Sequence, residues 1–154
     1  MSVLIDSDTK VLVQGITGNI GSFQTRVMEE YGTKVVAGVT PGKGGKEVHG
    51  IPVYDFVDEA VENHEIDAAI NFVPARFTKD AGIEAMDADI PFIVLTAESV
   101  PSRDMMDLIN YSEKKGSKLL GPDTPGLISP GKSKLGVHPN DMVMPGKIGV
   151  MSRS

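Results

Sequence analysis

The chain has 154 residues, 40% of them hydrophobic, and is ordinary soluble material for one domain. It has no cysteine, which excludes disulfides and thiolate-bound metal, and its net charge of −6 argues against a nucleic-acid binder, which is normally basic. Met1 to Asp6 is neither basic nor long enough for a secretory signal, and no apolar run approaches the ~20 residues of a membrane span. The expectation is a cytoplasmic protein with neither nucleic acid nor membrane as partner.

Lys10-Val11-Leu12-Val13-Gln14 is apolar and rich in β-branched residues, and predicts a buried parallel strand. It runs into Gly15-Ile16-Thr17-Gly18-Asn19-Ile20-Gly21, with a glycine at every third position, and then into a helical pattern from Ser22 to Tyr31. Thr33 to Val39 predicts a second buried strand, opening into a glycine-rich loop that carries Lys43 and Lys46. Ile51 to Tyr54 reads as an edge strand, because Pro52 removes a ladder donor. Asp55 is then expected to cap a helix that buries Val57, Ala60 and Val61.

Ile66 to Val73 predicts a third strong strand, followed by a helix over Thr78 to Ala88. Pro91 to Thr96 predicts a fourth. Ser102 is expected to cap the next helix, with Met105, Leu108, Ile109 and Ser112 on one face and Gly116 as the stop. Ser117 to Gly121 is a further short strand. Strands alternating with helices of this length imply right-handed crossovers and a parallel sheet covered on both sides. The fold class is therefore α/β: a Rossmann-like open parallel sheet with helices on both faces.

From Pro122 the texture turns proline- and glycine-rich, and Pro-Gly-Lys occurs three times, at Pro41, Pro130 and Pro145. Each predicts a type II turn. Short strands are expected at Leu135 to Val137 and at Lys147 to Met151. The domain reading is a Rossmann-like unit over 1–122, a connecting segment packed on it over 123–146, and the first strand of a second domain over 147–154.

A strand, a glycine turn and a helix bring bare backbone N–H groups and a positive helix end to one spot, a seat for phosphate. Three ligands compete for it. A P-loop is excluded, since the first loop has no lysine and the second has glycine where a magnesium-binding hydroxyl belongs. An NAD site wants an acid at the end of the second strand, but that strand ends Gly38-Val39-Thr40 with no carboxylate. The lysines beyond it suit an additional phosphate near the ribose, as in NADP or coenzyme A. Lys46 reads as a solvated turn residue, and Lys43, flanked by glycine, as a ligand contact.

In open α/β sheets ligands lie beyond the carboxyl ends of the strands. The candidates there are Thr17, Gly18, Asn19, Ile20, Lys43, Val73, Pro74, Ala75, Arg76, Thr96, Ala97, Glu98, Gly121, Pro122 and Asp123. Glu98 either accepts hydrogen bonds from an adenine amine or ribose or caps the following turn. Arg76 reads as a surface residue, with a bidentate phosphate contact as the alternative. His49, His64 and His138 lack metal-ligand spacing, and His64 reads as the C-terminal dipole partner of its helix. No catalytic set and no metal site emerges, so the chain reads as a binder.

These residues resemble the CoA-binding N-terminal domain of succinate–CoA ligase (succinyl-CoA synthetase) α subunits. The likeness is carried by SVLIDSDTKVLVQGITGNIGSFQ, YGTKVVAGVTPGKGG, FVPARFTKDAGIEAMDADIPFIVLTAESVP, GPDTPGLISPGKSKLGVHP and PGKIGVMSRS. It implies coenzyme A contacts at Thr17, Gly18, Asn19 and Ile20, at Lys43, and at Thr96, Ala97 and Glu98. It also implies a β subunit of ATP-grasp fold that binds ATP or GTP with Mg, and a phosphohistidine outside this stretch. The whole enzyme would join succinate to coenzyme A in the tricarboxylic acid cycle.

Four positions depart from the family pattern. Ile20 stands where glutamine is frequent, and implies a lost polar contact or its replacement by apolar packing. Arg76 replaces proline, and Asp123 and Thr124 replace asparagine and cysteine. Related acid–CoA ligases, malate–CoA ligase among them, share the motifs. The rival readings are an NADP-dependent oxidoreductase module, with a nicotinamide pocket near Val73, and a free-standing coenzyme A-binding regulator.

Overall fold

The computed structural model describes residues 4–152. Nine strands and four helices follow in the order β1 (Lys10–Gln14), α1 (Asn19–Tyr31), β2 (Lys34–Val39), β3 (Glu47–Val48), β4 (Ile51–Tyr54), α2 (Val57–Asn63) and β5 (Ala68–Asn71). Then come α3 (Ala75–Asp87), β6 (Phe92–Leu95), α4 (Ser102–Lys115), β7 (Lys118–Leu120), β8 (Gly126–Ser129) and β9 (Ser133–Gly136). Seven strands form one sheet in the order β3-β4-β2-β1-β5-β6-β7. All its pairings are parallel except β3 with β4. Strand order reverses at β1, between β2 and β5, so the switch point lies where the first glycine turn emerges.

Alternate residues of each central strand supply two separate cores. Val11, Val13, Ile70 and Val94 pack under Met28 of α1 and Leu135 of β9. Leu12, Ala69, Ile93 and Leu95 face Ala60 of α2, Met86 of α3 and Leu108 of α4. The strands are apolar on both faces because both faces are covered, which is why they read as continuous apolar runs.

The ends of several elements differ from their sequence reading. α1 begins at Asn19 and not at Ser22, and α3 at Ala75 and not at Thr78. β4 is not at the edge, because β3 pairs outside it; its ladder to β2 begins only at Val53, so the donor that Pro52 lacks falls outside that ladder. Asp55 does not cap α2, whose N-cap is Phe56, since its carboxylate is engaged elsewhere. α4 has Pro101 at its N-cap, so Ser102 is already the first helical residue. Met105, Leu108 and Ser112 are buried at i, i+3 and i+7, whereas Ile109, on the flank of that stripe, is 48% exposed.

The proline-rich segment is an antiparallel hairpin of β8 and β9 with Leu127 opposite Leu135, and only its second strand was anticipated. It seats a buried lysine. Lys134 Nζ donates to the His138 carbonyl at 2.8 Å and to Asn140 Oδ1 at 2.7 Å, while Asn140 Nδ2 reaches Val27 O of α1 at 3.2 Å. Thr33 Oγ1 donates to Lys134 O and accepts from Lys134 N. Lys147 to Met151 forms no strand, with Ile148 and Met151 91% and 100% exposed, for want of a strand to pair with among the described residues. Gly42 and Gly131 have the positive φ that a Pro-Gly turn of type II requires, and Gly146 does not.

Candidate functional site

The glycine turn after β1 is built by close approach. Gly15 has φ +80, and a Cβ there would meet Phe72 O at 3.0 Å and Val73 Cγ1 at 3.1 Å. A Cβ on Gly21 would lie 2.1 Å from Gly15 O, so only glycine lets α1 press onto the turn. Ile16, fully buried, fills the floor beneath. Gly18 is the N-cap of α1, no side chain caps the helix, and its first turn carries no acid. The leading N–H groups of a 13-residue helix are thereby left for a ligand, at the positive end of its dipole.

The lysine loop is tied to this seat from the β2 side. Gly15 N donates to Val39 O at 2.7 Å, and Thr17 N to Thr40 Oγ1 at 3.4 Å. Lys43 N then donates to Thr40 O at 3.0 Å, so a single residue, Thr40, joins the glycine turn to the Lys43 bend. Lys43 itself is exposed. An acid does reach this loop: Asp55, at the end of β4, accepts from Gly44 N at 2.8 Å. Sequence distance hid it, since the acid comes from the neighbouring strand and not from β2.

Val73 reaches the seat from the β5 side, against Gly15, and its N–H donates to Asn71 Oδ1 at 2.9 Å. Pro74 is the uncapped N-cap of α3, so a second helix start points at the same edge. Arg76 lies in the surface, as read, with its guanidinium 4.6 Å from the centre of the Phe77 ring. At the end of β6, Thr96 Oγ1 donates to Asn71 O at 2.6 Å, and Ala97 O accepts Asp123 N at 3.0 Å. Glu98 is exposed beside Ser99, a non-glycine residue at φ +58. These residues share the carboxyl edge with the glycine seat but do not line its cleft.

That cleft, of about 370 Å³, is lined by Thr17, Gly18 and Asn19 together with Ser22, Phe23, Arg26 and His49. Sequence reasoning missed the last four. Arg26 lies 5.6 Å from the centre of the Phe23 ring, and the i, i+3 spacing of these two on α1 was the available signal. His49 Nε2 sits 3.0 Å from both the hydroxyl and the carbonyl oxygen of Ser22. Nothing local announced that contact, which spans 27 residues of sequence. Ile20 finds no apolar cover and is 65% exposed on the same turn. His64 is the C-cap of α2 and its Nε2 pairs with the Tyr54 hydroxyl at 2.9 Å. No helix of the described residues is long and apolar enough to cross a membrane.

Comparison with known proteins adds the following. The CoA binding domain family matches residues 6–99. The α subunit of the ADP-forming succinate–CoA ligase of Aquifex aeolicus is 51% identical over 156 residues, covering 100% of this chain and 51% of that one. The malate–CoA ligase α subunit of Methylorubrum extorquens is 47% identical, covering 100% of this chain and 53% of that protein. The chain thus spans about half the length of these relatives. Among solved structures, ATP citrate lyase of Methanothrix soehngenii in complex with citrate and coenzyme A matches with a TM-score of 0.75 at 25% identity, over 87% of this chain and 24% of that one.

Proposed function

Because the chain belongs to the CoA binding domain family, we propose that it is the coenzyme A-binding part of a succinate–CoA ligase α subunit. The observation that carries this reading is the junction of an uncapped, acid-free helix start with a lysine loop through Thr40. Thr17, Gly18, Asn19 and the Ile20 N–H hold the diphosphate, and Lys43 takes the additional phosphate near the ribose. Val73, Pro74, Thr96, Ala97 and Glu98 line the path of the rest of the carrier along the carboxyl edge. Thr96 keeps only an acceptor for it, its proton being given to Asn71 O.

Residues 1–122 form the binding domain, 123–146 strap onto it, and 147–154 lead into a second domain. The complete enzyme, paired with a β subunit that holds ATP or GTP with Mg, joins succinate to coenzyme A in the cytoplasm. No catalytic residue lies in this stretch, so the chain alone does not turn over. Malate is the second candidate acid, favoured by the similarity to the Methylorubrum extorquens relative. Calorimetric titration with coenzyme A, NADPH and NADH tests the reading. Coenzyme A binds and the nicotinamide nucleotides do not; binding of NADPH alone overturns it in favour of an oxidoreductase module.

A further inference from the structure

Asp55 stands at the carboxyl end of β4, two strands from β1, and its carboxylate faces the lysine loop instead of the helix that follows it. Its Oδ1 accepts the Gly44 N–H at 2.8 Å. A Cβ built on Gly44 would meet Asp55 Oδ2 at 2.8 Å and Cγ at 2.9 Å, so the carboxylate lies against the bare backbone of the residue next to Lys43. Asp55 is itself held, its own N–H donating to Glu59 Oε2 of α2 at 3.2 Å. The rest of the loop is closed by backbone bonds to β4: Thr40 N to Tyr54 O at 3.0 Å, Gly45 N to Val53 O at 3.0 Å, and Val53 N to Lys46 O at 2.9 Å. The carboxylate is spent on an amide, and the Lys43 ammonium has no ion-pair partner among the described residues.

We propose that Asp55 is the positioning residue of the coenzyme A site, fixing the Gly44 amide so that Lys43 is presented to the ligand's ribose phosphate before binding. The inference rests on the coenzyme A reading above and deepens it. A charge-assisted bond to a backbone N–H is among the stronger single contacts a loop can have. A loop ordered in advance loses less entropy when the ligand arrives. Asp55 touches no ligand; it acts through Lys43.

The test measures dissociation constants for coenzyme A and 3′-dephospho-coenzyme A by calorimetry on the wild-type chain, Asp55→Ala, Asp55→Asn, Lys43→Ala and the Asp55→Ala/Lys43→Ala double variant. Asp55→Ala weakens coenzyme A about tenfold, or about 1.4 kcal/mol, and erases its preference over the dephospho form, as Lys43→Ala does. Asp55→Asn, which keeps the acceptor oxygen, retains both. The double variant binds no more weakly than Lys43→Ala alone. Gly44→Ala, whose methyl displaces the carboxylate while leaving Asp55 in place, reproduces Asp55→Ala and serves where that variant does not fold. Equal weakening by Asp55→Ala with and without Lys43, or wild-type affinity in both Asp55→Ala and Gly44→Ala, overturns the proposal while leaving the coenzyme A reading standing. A wild-type chain that binds neither ligand overturns both.

Discussion

At the scale of single residues the seat depends on atoms that are missing. A methyl on Gly21 would sit 2.1 Å from Gly15 O, backbone against backbone, with no flexible side chain to yield. Gly21→Ala is therefore expected to cost at least the ~1–3 kcal/mol typical of overpacking, read as a lower urea midpoint with an unchanged slope. Lys43 is the opposite case, exposed and structurally idle. Lys43→Ala is expected to leave the melting temperature within about a degree, while coenzyme A binding weakens on the order of tenfold, a modest charge-assisted contact. The salt dependence of binding flattens in the same variant, because the contact it loses is screened by added ions. Titrations at two salt concentrations check it. His49→Ala is a milder test of the cleft, removing the bond that ties the β3–β4 turn to Ser22.

At the scale of elements, the β8–β9 hairpin holds itself to α1 and the sheet through Leu135 and Lys134. Leu135 is fully buried in the core shared with Met28 and Val94. Leu135→Ala is expected to cost ~2–5 kcal/mol, as for other core leucines, measured by urea unfolding. The same strap carries a pH dependence. Burial, and then the Lys134 ammonium beside it, hold His138 below its ordinary value of 6.5. Burial likewise lowers Lys134, with Glu30 of α1 opposing. The folded chain therefore releases the His138 proton more readily than the unfolded chain does. Stability is full above pH 6.5 and falls as the pH drops through that value toward the folded one. Thermal unfolding between pH 7.5 and pH 5 shows the decline, and His138→Gln flattens it.

These elements also mark how far the sequence could be read. β1, β2, β5 and β6 were legible because strands covered on both faces carry continuous apolar runs through their middles. The hairpin was half legible: Leu135 is buried in the core, but its partner strand, with Leu127 and Ile128, is only partly buried. The cap assignments at Asp55 and Ser102 failed for different reasons. Local hydrogen-bonding preference was outbid by a tertiary partner at Asp55, and at Ser102 by Pro101, which already starts the helix. Thr17, Gly18 and Asn19, which line the cleft, stand together in the sequence because the glycine turn that holds them is local. His49 and Asp55 were not legible, because their contacts with Ser22 and Gly44 depend on which strands lie side by side.

For the molecule as a whole, one sheet edge gathers two helix starts without side-chain caps, at Gly18 and Pro74, and the lysine bend, while α2, α4 and the hairpin pack on the sheet behind it. A net charge of −6 does not oppose an anionic ligand there, since it is screened within about 8 Å at physiological salt. The measurement that tests this account most directly is a melting-temperature titration of the 154-residue chain with coenzyme A and with NADPH, at ligand concentrations up to a hundred times the expected dissociation constant. At such saturation a ligand specific to the folded state adds about 2.7 kcal/mol, so the account predicts a rise of several degrees with coenzyme A and none with NADPH. A rise with NADPH and a flat response to coenzyme A would contradict it.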